Sequence, residues 1–107
     1  MSKRVANADA RRYVQNREEF IGSNTYAEWR GHMLPHRYVV YSYGEHWPLF
    51  VYEDGKWYEN EDKYSPTTSK HRSQLRPLYE TEKHSADDMV EIADLGVAGW
   101  MRRKLAA

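Results

Sequence analysis

The run from Arg37 to Asn60, "RYVVYSYGEHWPLFVYEDGKWYEN", constrains this chain more than any other stretch. Tyr38, Val39, Val40, Tyr41 and Tyr43 are strand formers in near-continuous succession, the pattern of a strand covered on both faces. Downstream, Asp54-Gly55 separates two aromatic-rich runs and is a favoured turn dipeptide, so "PLFVYEDGKWYEN" reads as a hairpin. Alternation along the strand sends Leu49 and Val51 to one side and Phe50 and Tyr52 to the other. With "SNTYAEWR" read as a further short strand and Pro35 in the turn after it, the expectation is a meander of three or four antiparallel strands.

The flanks read as helices. Asn7 is placed to cap a first helix with Asp9 in its first turn. Ala10, Tyr13, Val14, Arg17 and Phe20 follow at helical spacing, and Gly22 is placed to end it. Ser65 can cap a short polar helix with Pro66 at its first position and Pro77 as its stop. Ser85, followed by Asp87 and Asp88 and closed by Arg102, Arg103 and Lys104, marks a last helix with each charge matched to the dipole. Met89, Ile92, Ala93, Val97, Trp100 and Met101 form its apolar side, and Gly96 and Gly99 imply close packing. Helix, strands, helix, helix is an α+β order. The small sheet is therefore expected to pack with an N-terminal helix, a short polar helix and a C-terminal helix.

At 107 residues the chain reads as one domain, 1–107, with room for a single core. Nine Tyr and four Trp carry much of the apolar content, so the interior relies on rings whose polar atoms need partners. Cysteine is absent, which rules out disulfides and thiolate zinc sites. There is no apolar run of the roughly 18 residues a membrane span needs, and the start "MSKRVANADARR" lacks the apolar core of a secretory signal. A cytoplasmic protein without a membrane association is expected.

Sixteen basic and sixteen acidic residues balance, which excludes avid, non-specific nucleic-acid binding driven by bulk charge. The distribution is uneven: "EDGKWYENED" gathers carboxylates, while "KHRSQLR" gathers cations. Such segregation lets a surface hold an anion in one place and repel it in another.

The stretch "NEDKYSPTTSKHRSQLRP" is crowded with hydroxyls and cations and has Leu75 as its only aliphatic residue. Unpaired N–H groups and the dipole at a helix start attract an anion. Ser65, Thr67, Thr68 and Ser69 would add hydroxyl donors, and Lys70, His71, Arg72 and Arg76 positive charge. Good caps on a solvated helix would explain some of the same residues. His46 and His71 are the candidate acid–base pair should the chain act on a phosphodiester, although a histidine bonded to a tyrosine or a carbonyl is the commoner use. His32 and His36, with Pro35 between them, are poor helical metal ligands, so neither metal nor cofactor is expected. Exposed rings among Tyr38, Tyr41, Tyr43, Trp47, Phe50, Tyr52, Trp57 and Tyr58 would stack bases, but one sheet face must serve the core. The carboxylates lack the order of a calcium loop and read as a charged hairpin edge.

The blocks "GSNTYAEW", "YVVYSYGEHWPLFVY" and "WYENEDKYSPTTSKHRSQ" resemble an uncharacterised family of small proteins associated with phages and plasmids. The resemblance covers Gly22 to Gln74. It singles out Ser23, Asn24, Ser42, Tyr43, His46, Asn60, Tyr64, Ser65, Thr67, Thr68 and His71, and it implies that both histidines share a polar constellation with Tyr43 and Tyr64. It implies no established activity. Together the residues and the resemblance lead to an accessory protein of a mobile element that binds a phosphate-bearing ligand, foremost nucleic acid. A protein inhibitor or adaptor of a host defence or replication protein is the second reading, and a metal-independent, histidine-dependent phosphodiesterase or nuclease the third.

Overall fold

A computed structural model describes residues 3–31, 36–63 and 65–106. Seven strands form one sheet in the order of the sequence: β1 (Lys3–Arg4), β2 (Phe20–Ile21), β3 (Thr25–Arg30), β4 (Arg37–Ser42), β5 (Pro48–Glu53), β6 (Lys56–Asn60) and β7 (Thr81–His84). β2 through β6 are antiparallel neighbours, whereas β1 pairs with β2 and β6 with β7 in parallel. This corrects the expected small antiparallel meander of three or four strands: the chain is α+β, but its sheet is mixed and seven-stranded. Of the missed strands, β1 and β7 are short and charged, and β2 takes up residues that helical spacing assigns to the end of the first helix. Lys3-Arg4 is exposed, and "TEKH" has no apolar run, which is how edges are kept from pairing with other chains.

Each parallel pair is joined through a helix, α1 (Asn7–Gln15) between β1 and β2, and α2 (Pro66–Leu75) between β6 and β7. β1 and β6 run the same way and both step forward in the sheet, so right-handed crossovers place both helices on one face. Ala10, Val14 and Leu75 accordingly share a core with Tyr38, Val40, Phe50 and Trp57. The last helix, α3 (Ala86–Ala106), covers the opposite face, where Met89, Ile92 and Ala93 meet Val39, Tyr41, Val51 and Tyr58. With helices on both sides, β4 is buried at every position.

Local departures from the sequence pattern have identifiable causes. Leu49 joins the Phe50 side rather than that of Val51, because the register shifts between Val40 and Tyr41 and Leu49 has no partner there; a bulge of this kind re-aims a side chain. Asn7 lies inside α1 and does not cap it. Its side chain donates to the Ser23 carbonyl at 2.9 Å and accepts from the Ser23 N–H and the Thr25 hydroxyl at 3.0 and 2.7 Å. α1 ends early: the Glu18 N–H bonds the Tyr13 carbonyl and the Arg17 N–H that of Val14, a Schellman cap with Arg17 at φ 54° where glycine is usual. Phe20 is thereby released into β2. Gly22 sits in the β2–β3 turn, where a Cβ would collide with Asn7 Oδ1 and Thr25 Oγ1. α3 breaks at Gly96, whose φ of 77° and ψ of 168° are not helical, and Met101 beyond the break is exposed.

Candidate functional site

The candidate site lies where the β4–β5 turn meets α2. β4 ends at Ser42, and the chain then turns through Tyr43, which holds φ at 68°. The turn is closed by the Trp47 N–H on the Gly44 carbonyl at 3.1 Å and the Ser42 N–H on the Trp47 carbonyl at 3.1 Å. The Tyr43 N–H donates to the Asn24 carbonyl at 2.7 Å, and Asn24 is itself left-handed at φ 59°. Two side-chain-bearing residues in this conformation, tied to each other, fix the direction in which the Tyr43 ring leaves the sheet. That ring is 55% exposed.

α2 supplies the other wall. Its cap forms as the sequence dictates: Ser65 Oγ accepts from the Thr68 N–H at 3.1 Å, with Pro66 at the first helical position. The same hydroxyl lies 3.0 Å from Thr68 Oγ1. Thr68, His71 and Leu75 face inward. His71 Nδ1 is 2.8 Å from Ser42 Oγ in a buried contact, and the Tyr43 ring lies 5.6 Å from the imidazole at 42°. Burial, and then the charge of Lys70, hold the His71 pKa below its ordinary value, which favours a neutral ring. Ser42, Tyr43, Gly44, His46, Trp47 and Thr68 enclose a cleft of about 220 Å³, a volume suited to one planar ring system.

The structure thus brings Tyr43, His46, Thr68 and His71 together, with Ser65 behind Thr68. Thr67 and Lys70 are exposed on α2, Lys70 close enough for its charge to act on His71, and Ser69 is half-buried. Asn60, Arg72 and Arg76 serve a different cluster. Asn60 is fully buried, donates from Nδ2 to the Pro48 carbonyl at 3.0 Å, accepts the Asp62 N–H at 2.9 Å, and receives Arg72 Nη1 on its carbonyl at 2.8 Å. Arg76 grips the Glu59 carboxylate with both Nη atoms, at 2.7 and 2.6 Å, while Arg72 Nε lies 3.9 Å from it. Thr81 adds a hydroxyl bond of 2.5 Å to the same group. Tyr64, like His32 and Pro35, lies outside the described residues.

Glu59 is the residue that sequence reasoning missed, having been placed among the surface carboxylates. Two signals pointed to it. Strand alternation puts Glu59 on the same side as Trp57, and Arg72 and Arg76 are four apart on one helix face. The acidic stretch is largely internal in purpose: Glu53 and Glu59 are buried, and Asp62 Oδ2 accepts the Ala86 N–H at 2.8 Å at the start of α3. Of the rings considered for stacking, Tyr38, Tyr41, Phe50, Trp57 and Tyr58 are core residues, leaving Tyr43 as the exposed one. Among the described residues no group of three or more His, Asp or Glu is placed to hold a metal ion.

Comparison with family models places residues 9–91 in a family of unknown function, DUF8033. The chain belongs to that family. The DUF8033 match runs from α1 into the first half of α3, so it contains the whole of the Tyr43–His71 cleft and stops short of the break at Gly96. Neither the curated proteins nor the solved structures contain a match to it. Among the described residues no helix is long and apolar enough to cross a membrane.

Proposed function

We propose that this protein binds single-stranded nucleic acid, taking one base into the Tyr43 cleft and a neighbouring phosphate beside His46 and Lys70. The observation that carries this reading is the Tyr43 ring, exposed at the mouth of a cleft and held there by a backbone conformation that costs a non-glycine residue free energy. An aromatic face offered to solvent stacks any base, for about 1–3 kcal/mol per base. The cleft volume of about 220 Å³ fits one base better than a duplex. Zero net charge fits a binder that relies on stacking and few phosphates. The resemblance to phage- and plasmid-associated proteins supports placing the activity in an accessory protein of a mobile element.

Fluorescence anisotropy with labelled single-stranded DNA, single-stranded RNA and duplex DNA tests the reading. Single strands should bind more tightly than duplex, with a shallow log–log salt slope of about −0.7, since one phosphate is engaged. Tyr43→Ala should weaken binding by about 1–3 kcal/mol. Absence of binding to any of the three at roughly 50 mM salt, where phosphate contacts are strongest, would reject it.

A further inference from the structure

A second and larger cleft, about 590 Å³, lies at the opposite end of β5, between the β5–β6 turn and the segment leading into β7. Arg17, Tyr52, Trp57, Tyr79, Glu80 and Glu82 are among its walls. We infer that it binds a nucleoside 5′-monophosphate: Arg17 takes the phosphate, the exposed Tyr79 stacks on the base, and Glu80 accepts hydrogen bonds from guanine, whose adjacent N1–H and N2–H donors match a carboxylate. The inference is independent of the Tyr43 cleft.

Arg17 is the first ground. The cap of α1 calls for glycine, yet the chain places arginine there at φ 54°. Its guanidinium lies 4.7 Å from the centroid of the Tyr52 ring, and Nη1 donates to the Gln15 carbonyl at 3.2 Å. Among the described residues no carboxylate pairs with it. A guanidinium lying over a ring keeps N–H donors free of that ring, the fork that suits a phosphate.

The rest of the lining sorts by charge. Lys56 and Glu82 neutralise each other at 2.6 Å, and Glu82 also meets His84 at 2.6 Å. Glu80 is exposed and, among the described residues, in no ion pair. One unpaired cation and one unpaired carboxylate on an aromatic wall select a ligand that is anionic at one end and donates hydrogen bonds at the other. Tyr79 is 60% exposed, so its ring is open to stack on a base, above a floor that Trp57 forms by packing against Tyr52 with centroids 5.1 Å apart. The volume falls within the range of small-molecule sites, roughly 300–1,000 Å³.

The test is NMR titration of the wild-type protein with GMP, CMP, AMP and UMP, and separately with a trinucleotide whose first residue is a 5′-phosphorylated guanosine. Saturable shifts at the Trp57 indole and the Tyr79 amide are expected, with GMP preferred over CMP, AMP and UMP. Saturation by free nucleotides assigns a free nucleotide as the ligand, and saturation by the trinucleotide alone assigns a strand end. Arg17→Met should weaken the phosphates about tenfold, as loss of a charged hydrogen-bond partner does, and leave guanosine binding as it was. Arg17→Gly, which suits the cap, should fold at least as well and weaken the phosphates alike. No saturable shift at Trp57 with any ligand, or undiminished affinity in both variants, would overturn the inference. Shifts confined to Tyr43 and Trp47 would also overturn it, while supporting the proposed function.

Discussion

Arg37 on β4 and Glu53 on β5 stand opposite each other in the sheet and together hold the break in α3. Arg37 donates from Nε to the Ala93 carbonyl at 2.6 Å and from Nη2 to the Asp94 carbonyl at 2.8 Å. Glu53 Oε1 accepts the Val97 N–H at 3.1 Å. The cation thus faces the negative end of one half-helix and the anion the positive end of the next. Both side chains are buried, and each satisfies backbone groups that the break at Gly96 would leave unpaired.

Gly96 is what permits this geometry. With φ at 77° and ψ at 168°, it occupies a region that is essentially reserved for glycine. Gly96→Ala should destabilise the protein by about 2 kcal/mol, read as a lower urea midpoint at unchanged m. A variant as stable as wild type would show that α3 runs straight through.

Glu59 should matter more to stability than any cation near it matters to binding. The carboxylate is 1% exposed and holds Arg76 through two bonds. Glu59→Gln removes the charge from the buried side of this pair and one of its two bonds to Arg76, and should cost about 2 kcal/mol in chemical denaturation. Lys70→Ala, at an exposed position, should change stability by less than about 0.5 kcal/mol while weakening single-strand binding. If the two effects were reversed, the assignment of Arg76 to structure and of Lys70 to ligand would fail.

The contrast between Glu59 and Tyr43 shows how far the sequence could be read. The central strands, the Asp54-Gly55 turn and the Ser65–Pro66 helix start were legible because each rests on local chemistry: apolar runs, a turn dipeptide and a cap. β1 and β7 were not, because Lys3-Arg4 and "TEKH" become strands only through neighbours distant in sequence. Of the residues the sequence singled out, Tyr43, His46, Thr68 and His71 lie near one another, whereas Asn60, Arg72 and Arg76 do not join them. The electrostatics of the site were not legible. Arg72 and Arg76 look available until β6 presents Glu59 to them, and this pairing depends on strand register rather than on any motif.

His71 should make stability depend on pH. Burial, followed by the Lys70 charge, lowers its pKa in the folded protein, so the unfolded chain takes up the proton first. Stability from this group is therefore complete above the unfolded value of about 6.5, and is lost as pH falls from there to the folded pKa. Urea unfolding between pH 7.5 and pH 5 should show that decline, and His71→Asn should flatten it. An equal decline in both proteins would place the titrating group elsewhere.

Tyr43 offers the sharpest separation of folding from function. Its left-handed backbone costs a residue with a side chain about 1–2 kcal/mol, a penalty that glycine escapes, against the entropy of about 0.5–1 kcal/mol that glycine loses on folding. The ring itself is largely in solvent, so little packing disappears with it. Tyr43→Gly should therefore be as stable as wild type, or more stable by up to about 1 kcal/mol, while its affinity for single-stranded oligonucleotides falls by the stacking energy of a base. Thermal melts and anisotropy on the same preparation decide the matter. A strained position that gains stability and loses binding on substitution is one retained for its ligand; if Tyr43→Gly loses stability and keeps its affinity, the ring belongs to the fold and the cleft to no base.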